Sequence, residues 1–362
     1  MFRSSRLVLP ATPANDLPHS ARPAAPDHPP SDPASVPAPR RLPSPRRLAR
    51  LAIDRLLIPA CHRLGLLHLC RRLFDRHALT VVMFHRVLPL DGDACRHAER
   101  EYVVGTDEFD RCLDFFGRHY SVVSMLAIER AAAGLERLPP HPLLITFDDG
   151  WRDNLVHAEP LLRRHGMKAA LFVNVDAVRE PGTRWWQDAL VEVVTRESAG
   201  GSADGPFSDL YGAIRAMVRL TPDARWAALA PRLDWSPETR QMLTADEVAS
   251  LDPTVWDIGS HGLSHAPLTE VSDPEAEIVE SGRWLAATCG VPVRAMSLPH
   301  GRLTASIARI ARTTYPLVFT SDPVLKNTRR RLGGLIGRLH LPSAAASSDR
   351  SLARFLWIRS KA

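Results

Sequence analysis

The sequence predicts an α/β fold. Two observations carry this: short apolar, β-branched runs recur along the middle of the chain, and stretches with an apolar face at helical spacing separate them. Thr80 to Phe84 reads as a strand, and Thr106 to His119 as a helix with Phe109, Cys112, Leu113 and Phe116 on one face. Ser121 to Ser124 is a further strand, followed by Leu143 to Phe147, a helix over His157 to His165, and a strand from Ala169 to Val173. From 178 to 252 the rhythm breaks. Trp185, Trp186, Trp226 and Trp235, with Phe207 and Tyr211, fall in a largely helical insertion that includes a Gly/Ser/Asp loop from Ser198 to Gly205. The alternation then resumes. A helix opens with Thr244-Ala245-Asp246-Glu247, Val255 to Gly259 forms a strand, and a helix from Asp273 to Thr288 stops at Gly290.

Outside this region the composition changes. The chain has 362 residues, 45% hydrophobic and 24% charged, enough to bury a full core. Its net charge is +6, but eight arginines against three aspartates in residues 1 to 50 leave +5 in that segment. The remainder is nearly neutral, so the pI of 9.4 does not signal a nucleic-acid partner. Residues 1 to 45 are rich in Pro, Ala, Ser and Arg and read as a disordered tail; Pro10 cuts short the one apolar run, so no secretory signal is expected. Residues 46 to 76 interleave leucines with arginines, a basic amphipathic arm. Either it lies on an anionic membrane surface through residues 46 to 74, or it packs its leucines on the domain that follows. Cys61, Cys70, Cys95, Cys112 and Cys289 are odd in number and lack CxxC spacing, which favours reduced thiols and a cytoplasmic location, with peripheral contact to the inner membrane as the arm's variant of it.

Two stretches carry the chemistry. Leu143-Leu144-Ile145-Thr146-Phe147 ends in Asp148-Asp149-Gly150, placing two acids at a strand end. On an extended backbone their side chains point to opposite faces, so they are expected to split roles, one as metal ligand and one as free base for water. The same three residues are also ordinary turn chemistry. After the Val255 strand, His261 and His265 stand four apart, and one turn of helix would bring both imidazoles to one ion.

Together these stretches resemble the polysaccharide deacetylase family, carbohydrate esterase family 4, and particularly its exopolysaccharide-biosynthesis members. Val81-Val82-Met83-Phe84-His85-Arg86-Val87 resembles the family's opening strand and Thr146 to Gly150 its first catalytic motif. Ser260 to His265 resembles its histidine motif, and Leu298-Pro299-His300-Gly301 its Tyr-Pro-Tyr-Gly turn. The resemblance runs from Leu79 to Leu341. It implies a distorted (β/α) barrel of about seven strands over 77 to 345, with the insertion inside it and 346 to 362 as a C-terminal tail or helix. It further implies metal-dependent removal of N-acetyl groups from an amino-sugar polysaccharide, with Asp149, His261 and His265 as ligands of a divalent ion and Asp148 as base. Zn²⁺ is the first expectation for that ion and Co²⁺ or a similar one the alternative. Trp185 and Trp186 stand where the subgroup carries a Trp pair, and their flat faces suit sugar rings; core packing of the insertion is the competing role. Pro299 and Gly301 are expected beside the substrate, and a backbone N–H near Leu298 to Gly301 as oxyanion partner.

The chain departs from the pattern at two points. Ser297 replaces the Arg that orients the base, and Arg338 is the candidate to take that place or to contact substrate. The His that donates a proton is expected in a Leu-x-His motif; here Gly337-Arg338-Leu339-His340-Leu341 has another spacing, leaving the acid between His340 and His300. His85 closes the first strand at the same end, with a structural hydrogen-bonding role favoured over a catalytic one. Two alternatives remain open: a peptidoglycan or chitooligosaccharide deacetylase, and a catalytically silent sugar-binding or assembly factor.

Overall fold

The computed structural model describes residues 77 to 358 apart from 97, 180–184, 200–212, 214–215, 218, 234–239, 324–326 and 329–330. The tail, the amphipathic arm, the Ser198–Gly205 loop beyond its first two residues, and Phe207, Tyr211 and Trp235 therefore lie outside the described residues.

Eleven strands are described, and nine of them share one parallel sheet: β1 (Thr80–Phe84), β4 (Ser121–Val122), β5 (Pro142–Phe147), β6 (Ala169–Val173), β7 (Trp256–Ser260), β8 (Ala295–Ser297), β9 (Leu317–Thr320), β10 (Leu335–Gly337) and β11 (Leu339–His340). The order is β10-β9-β8-β7-β6-β5-β1-β11, with β4 set against the start of β5. The two outer strands of this order are consecutive in the chain, separated by Arg338 alone. One segment thus pairs with β9 through β10 and with β1 through β11, which brings the sheet round into a seven-position, nearly closed barrel. A separate two-stranded sheet, β2 (Arg86–Leu88) with β3 (Val103–Gly105), follows β1.

Alternation along the strands sorts the core into two layers. Val81, Leu144, Ala170, Phe172, Ala295, Leu317, Phe319 and Ile336 form the interior cluster; Phe172 and Phe319 meet there with ring centroids 5.1 Å apart. Val82, Phe84, Ile145, Phe147, Leu171 and Val173 face the other way, under the Thr106–His119 helix and the C-terminal Asp349–Ile358 helix. Gly259 serves the interior layer: a Cβ there would lie 2.5 Å from the Phe172 ring, so the ring fits because the glycine is bare.

Helix ends follow local chemistry. Thr244 and Glu247 form a reciprocal capping box, Asp273 accepts the Ala276 N–H, and Gly290 closes the Pro274–Cys289 helix at φ 68°. The stretch expected to begin a helix at His157 turns earlier. Asn154 to Ala158 form a wide π-type turn before the Glu159–Arg164 helix, with Asn154 held by the carbonyls of His85 and Trp151. The insertion contributes the Trp186–Ala199 and Pro222–Leu229 helices, whose Ala189, Leu190, Ala228 and Leu229 share one apolar cluster with Met217. Among the described residues, no helix is long and apolar enough to cross a membrane. Cys95, Cys112 and Cys289 are free thiols; Cys61 and Cys70 lie outside the described residues.

Candidate active site

A cavity of about 380 Å³ opens at the carboxyl ends of the strands, the end where barrels of this kind collect their working residues. Asp148, Asp149, His261, His265, His300, His340, His85 and Trp185 all line it.

Asp148 continues the inward parity of Leu144 and Thr146, and its N–H still pairs with Phe84 O at 3.1 Å. Asp149 breaks that parity. Its φ is 78° and that of Gly150 is 89°, so the chain turns left-handed instead of extending, and both carboxylates face one cavity. The expectation that alternation sends them to opposite faces is thereby corrected, because that rule holds only while the backbone is extended. Their partners, not their directions, distinguish them.

Asp148 is gripped from inside the barrel. Arg338 donates to Oδ1 and Oδ2 at 2.7 Å each, and to Ser297 Oγ at 2.7 Å; Ser297 Oγ lies 3.4 Å from Oδ2. Burial pushes the Asp148 carboxyl up, but Arg338 and His261 outweigh it and hold the group below the usual carboxylate range. The Arg338 side chain has no exposure at all, so it touches no substrate. This corrects the substrate-contact alternative. The guanidinium reaches the base from the segment that closes the barrel, and Ser297, where an Arg was expected, is one of its anchors.

Asp149 is held differently. Trp151 Nε1–H donates to Oδ2 at 2.9 Å, while Oδ1 is buried without a hydrogen bond. That oxygen lies 3.2 Å from His265 Nε2 and 3.4 Å from His261 Nε2. His261 is fixed by Nδ1–H donating to Ser297 O at 2.8 Å, which leaves Nε2 as a lone pair toward the cavity. His265 comes in from a loop, not from a helical turn: Gly262 has φ 80° and His265 φ 59°, which corrects the helical reading of the four-residue spacing. One donor atom from each of Asp149, His261 and His265 lies within 4.8 Å of the others. Ligands about 2.0–2.2 Å from a tetrahedral ion stand about 3.4 Å apart, so the two Asp149–His separations and the unsatisfied Oδ1 suit a divalent cation such as zinc. All three side chains are buried, a setting in which so close a cluster of acceptors otherwise costs stability.

His340 lies edge-on to His85 with ring centroids 5.7 Å apart, and Tyr102 packs on both, at 5.2 Å from His340 and 4.5 Å from His85. Burial lowers the His340 pKa, and burial takes His85 down to about 4. His300 is engaged elsewhere. Its Nε2–H donates to His265 O at 3.0 Å, and burial, with His265 beside it, lowers its pKa to about 3. Its ring therefore braces the His265 loop. Of the expected oxyanion donors, Leu298 N–H goes to Phe319 O, Gly301 N–H goes to Leu298 O, and Pro299 has none; His300 N–H is what this stretch has left. Pro299 is buried, and neither it nor Gly301 lines the cavity. Trp185 is a cavity wall 5.2 Å from the His265 ring, whereas Trp186 lies in the insertion core under Arg225, 4.4 Å from the guanidinium carbon.

Several lining residues had no signal in the sequence. Arg86 stacks over Trp151 at 4.0 Å and bonds both Asp153 and Asp188. Glu99 lines the cavity among other acids, and burial, then Glu101, Asp188 and Asp149, raise its pKa to about 7. Only the aromatic Trp151 directly after Asp-Asp-Gly could have been marked from local sequence.

The lowered His85 pKa carries a stability consequence. His85 is neutral in the fold but titrates near 6.5 once unfolded, so its contribution to stability is lost as pH falls from 6.5 toward 4. Glu99, raised to about 7, works in the opposite sense over the same range, so the effect is read by comparison. From pH 7 to pH 5 the Tm of the metal-free parent is expected to fall more, or rise less, than that of His85→Asn. Equal slopes in the two proteins would contradict the neutral assignment of His85.

Residues 136–315 match the family model described as polysaccharide deacetylase. No curated protein matches the chain. Among solved structures, the chain is similar to Streptococcus pyogenes deacetylase PplD in complex with acetate (17% identity, TM-score 0.54, covering 78% of this chain and 99% of that one). It is similar to BC0361, a polysaccharide deacetylase from Bacillus cereus (15%, 0.52, 78% and 69%), and to IcaB from Ammonifex degensii (20%, 0.51, 77% and 97%). At these identities the likeness is one of fold. The matched residues hold both aspartates, both loop histidines and the turn that braces them, and on that match the chain belongs to the polysaccharide deacetylase family, a hydrolase of acetylated polysaccharide.

Proposed function

We propose that the protein removes N-acetyl groups from an amino-sugar polysaccharide, with Asp149, His261 and His265 holding a divalent metal ion, zinc first, and Asp148 as the base. The observation that carries this is the division of labour between two adjacent acids. One has a buried unsatisfied oxygen facing two imidazole nitrogens, and the other is gripped by a guanidinium beside that cluster, its Oδ2 3.8 Å from His261 Nε2. A sugar-binding module has no use for the second acid.

When bound, the ion would polarise the acetyl carbonyl and acidify water. Asp148, kept ionised by Arg338, takes the proton from the attacking water as its oxygen adds to the acetamide carbon. His300 N–H supports the developing negative charge on the carbonyl oxygen. As the C–N bond breaks, the proton that Asp148 took from the water passes by way of His340 to the departing sugar nitrogen, releasing acetate and a free amine and leaving both side chains as they began. His340 suits the acid role better than His300, whose donor is committed to His265 O. Trp185 offers a flat wall beside the reacting group. Arg338, in place of the missing Arg at Ser297, together with the Trp185-Trp186 pair, supports an exopolysaccharide as the polymer.

Metal binding tests the ligand set. The metal-stripped protein is expected to take up one Zn²⁺ per chain, and His261→Ala to weaken that binding by at least ~100-fold, since one of three protein ligands is gone. Equal affinity in parent and variant, measured by calorimetric titration, would remove His261 from the centre.

A further inference from the structure

The loop between the two histidines has no helical hydrogen bonds to shape it, yet it must hold His265 left-handed. Its outer side meets the first turn of the Pro274–Cys289 helix, which Asp273 caps. There Glu277 Oε2 accepts the N–H groups of Leu263 at 2.8 Å and Ser264 at 3.1 Å, and Oε1 accepts Ser264 Oγ–H at 2.5 Å. One carboxylate thus satisfies three donors on consecutive residues. The fit is close: a Cβ on Gly262, whose φ is 80°, would stand 3.3 Å from Glu277 Oε2 and 3.3 Å from Pro299 Cγ. The loop's carbonyls are taken as well, Gly262 O by Val175 N–H at 3.2 Å and Leu263 O by Asp176 N–H at 2.9 Å. On the cavity side, His300 holds His265 O.

We propose that Glu277 is a positioning residue for the metal centre. It fixes the 262–264 turn, and through it the approach of His265 to Asp149, without touching ion or substrate. The inference rests on Asp149, His261 and His265 being the ligand set. Chemically, a carboxylate suits this post because charge-assisted bonds to backbone N–H groups are the stronger ones, and because left-handed backbone at His265 needs an external hold. Partners one layer behind metal ligands typically set affinity by ~10–100-fold.

The test is Zn²⁺ affinity by calorimetric titration of metal-stripped full-length chain, alongside melts of the metal-free proteins. Glu277→Ala is expected to bind Zn²⁺ ~10–100-fold more weakly. Glu277→Gln, which keeps an oxygen for the two N–H groups, should stay within ~5-fold of the parent. A merely structural role would lower the metal-free Tm in both without this split in affinity. A folded Glu277→Ala with parental affinity overturns the proposal. If that variant does not fold, Glu277→Asp, which draws the carboxylate back by one methylene and leaves Ser264 and its contact with the Ala266 N–H in place, is expected to weaken binding by ~3–10-fold, and parental affinity there overturns it equally. A parent that binds no Zn²⁺ instead refutes the ligand set on which the inference stands.

Discussion

Asp148→Asn is expected to lower kcat by ~10²–10⁴-fold while the protein folds and still binds its ion. The size follows from general-base catalysis, since an amide cannot accept the water's proton. The specificity follows from the partners: Asp149, with Trp151 on Oδ2 and the two histidines facing Oδ1, does not depend on Asp148 for its position. Arg338 makes the asparagine a harsher change than its size suggests, because the Asn amide hydrogens would face a guanidinium that has only donors. Steady-state acetate release beside a zinc titration checks both halves. A kcat within tenfold of the parent would show that another group is the base.

Arg338→Met is expected to cost about 3–5 kcal/mol of stability, the range for leaving one partner of a buried ion pair uncompensated. Both partners are nearly inaccessible, at 0% and 3% side-chain exposure, so solvent does not rescue the lone carboxylate. The pH dependence moves with it. Arg338 depresses the Asp148 pKa, so the ionised acid stabilises the parent above its unfolded value near 3.9, and that gain disappears only as pH falls through the lower folded value. Without Arg338, burial dominates, the pKa rises, and the acidic limb of the rate profile shifts to higher pH. Urea unfolding measures the first effect and a kcat–pH series the second. Asp148→Asn added to Arg338→Met should recover much of the lost stability, because the unpaired charge is then gone. A single variant with parental urea midpoint and parental pH profile would refute the pairing.

How far the sequence went is clearest at individual residues. Strands such as Thr80–Phe84 and Ala169–Val173 were legible with their ends, because a run buried on both faces is apolar throughout. The helix over Thr106–His119 was legible from its one-sided face. Asp148, His261 and His265 could be marked because their spacing is local. The geometry that makes them a site was not, since the left-handed turns at Asp149, His265 and His300 are imposed by contacts such as Asn174 N–H to Asp149 O and His300 to His265 O. Arg338 could be suspected, but its bidentate grip on Asp148 spans 190 residues and depends on β10 and β11 closing the barrel, which no local pattern encodes. Glu99, Tyr102 and Arg86 reach the cavity for a similar reason: the β2–β3 pairing, not their sequence neighbours, carries them there.

The most direct test is acetate release from a poly-N-acetylglucosamine substrate by metal-stripped protein, before and after one equivalent of Zn²⁺ is added. Release that appears only with the added ion, and that Asp148→Asn abolishes, is what the site's geometry predicts. Equal release without metal would contradict the assigned roles of Asp149, His261 and His265, and no release from reconstituted protein would contradict the proposed substrate.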